Sequence, residues 1–92
     1  MQELHITIGG SLPMTRERVI RLVRVANSFS SQVILEGDSI TINGKSMLGL
    51  LSINWGTGRE FTLITRGEDE GEALRCLAEL LSQQDAPENA ES

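Results

Sequence analysis

The hydrophobic residues of this chain follow two different periods, and each change of period marks a new element of secondary structure. Residues 4–8 alternate apolar and polar side chains, which predicts a strand with one buried face. From residue 15 the spacing changes to three and four, which is typical of an amphipathic helix. The apolar stripe of this helix consists of Val19, Leu22, Val23 and Ala26.

The middle of the chain predicts a hairpin, a short helix and a further strand. Residues 33–35 and 40–42 flank the sequence Glu-Gly-Asp-Ser, which has the composition of a turn. A short helix capped by Ser46 is predicted over residues 46–53, and two glycines end that segment. Residues 61–64 predict a strand that is buried on both faces or nearly so.

A last amphipathic helix is predicted after Asp69. Asp69 suits the N-cap position and Glu72 follows three residues later, as in a capping box. The acidic residues of the first turn are also favoured by the helix dipole. Residues 85–92 are polar and contain Pro87, so we expect a domain over residues 1–84 and a frayed tail over residues 85–92.

The order of elements, β-α-β-β-α-β-α, predicts the α+β class, with an antiparallel sheet and helices packed on one face. The apolar positions of these elements should supply a single core. The predicted core residues are Leu4 or Ile6, Val19, Leu22, Val23, Ala26, Leu50, Phe61, Leu63, Leu74, Leu77 and Leu81.

Length and composition exclude several classes of function. Ninety-two residues form one domain, which buries roughly 60–65% of its unfolded surface and leaves little room for a closed active-site cavity. The net charge of -5 disfavours nucleic acid as a partner, because DNA binding depends on neutralising phosphates with Lys and Arg. Four arginines nevertheless fall within the nine residues from Arg16 to Arg24.

The sequence also predicts no cofactor, no metal site and no membrane segment. It has no cluster of metal ligands and no Cys–His pair, and its single cysteine, Cys76, excludes an intrachain disulfide. No apolar stretch approaches the ~18 residues of a membrane span, and no signal-peptide pattern is present. We therefore expect a cytoplasmic protein that is not an enzyme; its oligomeric state is left open.

Three separated motifs resemble the HPr family of phosphocarrier proteins over residues 3–83. The most specific is Gly-Lys-Ser-Met-Leu-Gly-Leu-Leu-Ser at residues 44–52, supported by Ala-Asn-Ser-Phe at residues 26–29 and Gly-Glu-Asp-Glu at residues 67–70. The resemblance implies an open-faced β-sandwich, in which a four-stranded antiparallel sheet carries three helices on one face. It also implies a histidine at the start of the first helix, which carries a phosphoryl group between enzyme I and sugar permeases.

That histidine is missing here. The family motif is Gly-Leu-His-Thr/Ala-Arg-Pro-Ala, and alignment without a gap places Thr15 at the histidine, Glu17 at the arginine and Arg18 at the proline. A shift of one residue places Met14 at the histidine instead. The single histidine of the chain, His5, lies on the first strand and should face away from its apolar side.

The residues at this position are poorly suited to phosphotransfer. A threonine phosphoester is far less reactive than phosphohistidine, and methionine cannot be phosphorylated. The carboxylate of Glu17 would also repel an incoming phosphate, by about 1–4 kcal/mol for close charges near a surface. We therefore expect no catalytic residue, although a phosphocarrier that uses an unexpected residue stays the alternative.

Loss of the histidine with retention of the other motifs resembles the Crh-type members of the family, which are regulators. The resemblance implies phosphorylation of a serine by HPr kinase and binding to the transcription factor CcpA. Ser46 aligns with that serine. Its hydroxyl group also suits a plain N-cap, worth ~1 kcal/mol, so a structural role stays open beside the regulatory one.

A partner-binding surface is predicted on the two helices that flank this serine. The short helix is apolar on nearly all sides, so we assign Leu50 and Ile53 to the core and the remaining large side chains to an exposed patch. One flank of the first helix adds two arginines that suit an acidic partner, or that form only a solvated face. The predicted binding residues are Met47, Leu48, Leu51, Arg16, Ile20 and Arg24.

Overall fold

The seven predicted elements occur in the predicted order in the computed structural model, which describes residues 1–8, 15–53, 55–56 and 58–82. The predicted tail over residues 85–92 and the position of Met14 lie outside the described residues. The elements are β1 Gln2–Thr7, α1 Arg16–Asn27, β2 Gln32–Glu36, β3 Thr41–Asn43, α2 Met47–Leu51, β4 Glu60–Arg66 and α3 Glu70–Ser82.

The four strands form one antiparallel sheet in the order β1-β4-β2-β3. One row of side chains crosses all four strands, because Leu63 pairs with Leu4 on one side and with Leu35 on the other, and Leu35 pairs with Ile42. The predicted α+β fold, a four-stranded antiparallel sheet that carries three helices, is confirmed.

Burial along this row shows where the helices cover the sheet. Leu63 and Leu35, on the two central strands, are each 2% exposed, whereas Leu4 on the edge strand β1 is 42% exposed. Ile6, one residue pair further along β1, is 4% exposed and joins the core. The sequence offered Leu4 or Ile6 as the core residue of this strand, and the structure selects Ile6.

The remaining predicted core residues are buried, except that Leu74 is half-buried against the core. The core also contains residues of β2 and the residue that follows β1, which the prediction left out. These additional residues are Ile8, Val33 and Leu35. β4 alternates buried with half-buried residues, because its neighbours on both sides partly cover the side chains on its open face.

Asp69 occupies the predicted N-cap position of α3, where its carbonyl oxygen accepts the Ala73 N–H at 2.9 Å. The prediction that the Asp69 side chain takes part in a capping box is wrong. The carboxylate binds the segment that leads into β2: it accepts the backbone N–H groups of Ser30 and Ser31, both at 3.0 Å, and the Ser31 hydroxyl group. These bonds, above all the one from the Ser31 hydroxyl, lower the pKa of Asp69 to about 2. We call this contact the Asp69 clamp.

Gly67 permits the close approach on which the Asp69 clamp depends. Its φ angle is 149°, and a Cβ atom at this position would lie 2.7 Å from the hydroxyl oxygen of Ser31. A residue with a side chain would therefore be strained at this position and would collide with Ser31.

Candidate functional site

The start of α1 is where the resemblance predicts the phosphoryl-accepting histidine, and Thr15 occupies the N-cap of this helix. Its backbone is extended, with φ -82° and ψ 167°, and its hydroxyl oxygen accepts the Arg18 N–H at 3.2 Å. This bond satisfies one of the four N–H groups that a helix leaves unpaired at its first turn. The side chain is exposed, and its hydroxyl group is used for capping.

Arg18 links the same turn of α1 to the end of α3. The guanidinium group donates from Nη2 to the Leu80 carbonyl oxygen at 3.1 Å, and the residue is half-buried. Carbonyl groups in the last turn of a helix lack intrahelical partners and favour a cation. Helical spacing sets Arg18 apart from the apolar stripe of α1 and did not indicate this contact, which forms because that flank of α1 lies against α3.

The start of α2 repeats the capping arrangement with Ser46. The backbone of Ser46 is extended, with φ -98° and ψ 110°, and its Oγ accepts the Gly49 N–H at 3.1 Å. Ser46 is half-buried. The N-cap role that the sequence predicted for this serine is confirmed.

The apolar residues of the α2 region divide into a buried and an exposed set. Leu50 is 0% and Ile53 8% exposed, and both belong to the core. Met47 is 38%, Leu48 81% and Leu51 39% exposed, and we call these three side chains the α2 patch. This division agrees with the arrangement that helical spacing predicted.

Gly49 explains how α2 can lie so close to the sheet. A Cβ atom at Gly49 would lie 2.9 Å from Cγ2 of Ile42 on β3, and 3.2 Å from the Oγ of Ser46. Gly49 therefore lies against β3, where a residue with a side chain would collide with Ile42.

One flank of α1 lies beside the α2 patch. Arg16, together with Val19, Leu51 and Trp55, lines a shallow groove between the two helices. Ile20 is half-buried, and Arg24 is exposed on the same flank. The structure thus brings Arg16 next to one residue of the patch and places two cationic side chains, Arg16 and Arg24, along this flank.

Trp55 has an aromatic neighbour, Phe61. Its ring centroid lies 5.5 Å from that of Phe61, and its Nε1 donates to the Leu50 carbonyl oxygen at 3.0 Å. The ring is half-buried and packs against the core.

Lys45 is a contact residue that the sequence did not single out. Its Nζ donates to the Phe29 carbonyl oxygen, just beyond α1, at 2.8 Å. Its own carbonyl oxygen accepts the Asn27 side chain at 3.3 Å. The position of Lys45 beside Ser46 in the 44–52 motif could have pointed to a functional role. The motif does not indicate, however, which group the lysine binds.

His5 faces away from the core, as predicted, on the open face of the sheet. Its Nε2 lies 3.0 Å from Oε1 of Glu60 on the adjacent strand, and both side chains are 61% exposed. Within the described residues, no group of three or more His, Cys, Asp or Glu could hold a metal ion. In the same part of the chain, no helix is long and apolar enough to cross a membrane.

Comparison with known proteins identifies the family. A family model described as "PTS HPr component phosphorylation site" matches residues 5–83, and the chain therefore belongs to the HPr family. It is similar to the HPr-like protein Crh of Bacillus subtilis, with 54% identity over 56 residues. That match covers 61% of this chain and 66% of the relative, just under two thirds of its length.

Two solved structures extend the similarity to most of the fold. HPr-C-His from Thermoanaerobacter tengcongensis is 32% identical with a TM-score of 0.80, covering 88% of this chain and 91% of the other. The structure of Bacillus subtilis Crh, described as a dimer with a swapping domain, is 41% identical with a TM-score of 0.67, covering 83% of each chain.

Proposed function

We propose that this chain is a regulatory member of the HPr family, of the Crh type, which acts in carbon catabolite control by binding other proteins. The observation that carries the proposal is the exposed α2 patch beside a retained Ser46. At the start of α1, by contrast, alignment without a gap places a capping threonine where the family motif carries its histidine. A cytoplasmic location and the absence of catalytic activity are parts of the same proposal.

The α2 patch has the properties of a contact surface. Exposed apolar side chains contribute free energy of association only when a partner covers them, and methionine adapts its shape to different partners. Arg16 and Arg24, along the neighbouring flank of α1, favour acidic residues at the rim of that partner, and Ile20 extends the apolar area. The partners that we propose are HPr kinase and a CcpA-like transcription regulator.

Ser46 is the proposed site of regulation. In the proposed reaction the Ser46 oxygen attacks the γ-phosphorus of ATP, the bond to ADP breaks, and the hydroxyl proton is released. The product carries a charge of about -1.5 to -2 next to the α2 patch. Ser46 Oγ accepts the Gly49 N–H with one lone pair, and the second lone pair of the hydroxyl oxygen is available for this attack.

Phosphorylation and binding can be tested together. Purified HPr kinase with ATP should phosphorylate the chain and not its Ser46→Ala variant. Titration against a CcpA-like regulator should then show tighter binding of the phosphorylated form. Leu51→Ala should weaken that binding by ~1–2 kcal/mol, as expected of a modest interface anchor.

Leu4→Ala is the matched control, because Leu4 is 42% exposed on the edge strand β1, and Leu51 is 39% exposed on α2. Equal binding of Leu51→Ala and Leu4→Ala would show that the α2 patch is not the contact surface. The alternative of a working phosphocarrier has its own test: acid-labile phosphate on the chain after incubation with phosphoenolpyruvate and enzyme I would overturn the regulatory proposal.

A further inference from the structure

Lys45 immediately precedes Ser46, the N-cap of α2, and contacts the chain at and just beyond the end of α1. The ammonium group donates to the Phe29 carbonyl oxygen at 2.8 Å, and the backbone N–H of Lys45 donates to Oδ1 of Asn43 at 2.9 Å. Asn27 donates from Nδ2 both to the Val23 carbonyl oxygen at 2.9 Å and to the Lys45 carbonyl oxygen. A half-buried lysine next to Ser46 in the chain thus binds both the end of α1, through Asn27, and the segment just beyond it, through Phe29.

A negative charge on Ser46 would compete for this lysine. A phosphoryl group offers three strong acceptor oxygens and a charge of about -2, whereas the Phe29 carbonyl is a neutral acceptor. Hydrogen bonds between two charged groups are roughly twice as strong as neutral ones. The flexible four-carbon stem of lysine allows its ammonium group to move between acceptors on either side of the backbone.

We propose that Lys45 transmits the charge on residue 46 to the end of α1. While residue 46 carries a hydroxyl group, the ammonium group binds the Phe29 carbonyl oxygen; when it carries a phosphoryl group, the ammonium group leaves Phe29 for the phosphoryl oxygens. This inference rests on the proposed function, since it assigns a structural consequence to phosphorylation of Ser46.

The Asp69 clamp limits how far this change spreads. Ser30 and Ser31 follow Phe29 directly and stay bound to the Asp69 carboxylate through two backbone N–H groups. Release of the Phe29 carbonyl therefore affects the residues between the last turn of α1 and Ser30. That segment lies on the flank of α1 that faces α2, because Asn27 contacts the Lys45 carbonyl there.

The experiment places phosphoserine at position 46 during synthesis, with neither kinase nor partner present. The ¹³C resonance of the Phe29 carbonyl is measured by NMR in the unmodified chain, the phosphorylated chain and the Lys45→Gln variant of each. We expect phosphorylation to shift this resonance in the same direction as Lys45→Gln alone and by at least half as much. In the Lys45→Gln background phosphorylation should cause no further shift.

Ser52 provides the matched control, because it lies at the other end of α2 and is exposed. Phosphoserine at position 52 adds the same charge away from Lys45 and should leave the Phe29 signal unchanged. Unchanged amide signals of Leu63 on β4 and Leu77 on α3, two buried core residues, verify that every variant is folded.

Three outcomes would overturn the proposal: no Phe29 shift with phosphoserine at 46, the same shift in the Lys45→Gln background, or the same shift with phosphoserine at 52. None of them bears on whether a kinase modifies Ser46 or a regulator binds the α2 patch. Failure of those assays would likewise leave the Phe29 result standing.

Discussion

The starts of α1 and α2 are built alike and differ in what surrounds them. Thr15 Oγ1 accepts the Arg18 N–H at 3.2 Å, and Ser46 Oγ accepts the Gly49 N–H at 3.1 Å, so each hydroxyl group caps its helix from three residues before the donor. The first turn of α1 then carries three charged side chains, whereas α2 carries none.

This difference shows that the cap does not decide the role of either helix start. At Thr15 the neighbouring Glu17 opposes an anion, and Arg18 is occupied by the carbonyl group of Leu80. Ser46 lies between a lysine that can bind an anion and an apolar surface that a partner can cover. Under the proposed function, the same local geometry serves stability at α1 and regulation at α2.

The largest expected effect is the difference in stability between truncating a buried and an exposed leucine of α2. Leu50→Ala should lower the free energy of unfolding by ~2–5 kcal/mol, because it removes a fully buried side chain. Leu51→Ala should cost well under that, since this side chain is 39% exposed. Urea denaturation of both variants measures the difference. Equal loss of stability would mean that the α2 patch is part of the core.

The start of α3 differs from the other two helix starts, because its cap residue, Asp69, carries a carboxylate that binds Ser30 and Ser31. We therefore expect the stability of the protein to depend on pH through this residue. The pKa of Asp69 is lowered from 3.8 to about 2, so the stabilising bonds of the Asp69 clamp are complete above pH 4 and are lost as pH falls toward 2. Melting temperatures measured by circular dichroism should fall across this window.

Asp69→Asn should be less stable at neutral pH and should lose less stability on acidification than the unmodified chain. Glu70 has a lowered pKa too, through the Gly67 N–H and the N-terminal ammonium group, so Glu70→Gln is the control that separates the two carboxylates. An unchanged acid profile in Asp69→Asn would contradict the pKa assignment.

Removal of the two caps should have similar, smaller effects. Thr15→Ala and Ser46→Ala should each lower the free energy of unfolding by ~1 kcal/mol, because each leaves an N–H group of the first turn without its acceptor. Ser46→Asp should retain the cap and leave stability close to that of the unmodified chain. It should strengthen partner binding only where the partner recognises a phosphate. A loss of stability in only one of the two alanine variants would show that the two caps are not equivalent.

The smallest effect is expected where a histidine is restored. Thr15→His alone should not accept phosphate efficiently from enzyme I, because Glu17 and Arg18 stand where the family motif has Arg and Pro. Adding Glu17→Arg and Arg18→Pro should improve transfer. It should also cost stability, since proline lacks the N–H that Thr15 caps and the guanidinium that binds Leu80.

Radiolabelled phosphate transfer, measured beside an ordinary HPr, checks this prediction. Transfer to Thr15→His at the rate of that HPr would show that the surroundings of the site are not what prevents phosphotransfer.

Features that depend on local spacing were predictable from the sequence. Helical periodicity separated Leu50 from Leu51, strand alternation placed His5 on the open face, and capping chemistry identified Ser46. The contacts that the sequence missed join distant segments: Asp69 with Ser31, Arg18 with Leu80, and Lys45 with Phe29. Their partners are set by how the helices pack on the sheet, and no local pattern contains that information.

Trp55 is the single tryptophan of the chain, and its position makes it a built-in optical reporter. One side of the indole contacts the core through Phe61, and the ring also lines the groove shared by Arg16 and Leu51. Its fluorescence should therefore respond to solvent entry when the core opens and, under the proposed function, to dehydration of the groove when a partner docks. Folding and recognition can be followed on this protein with light alone, without attaching a dye.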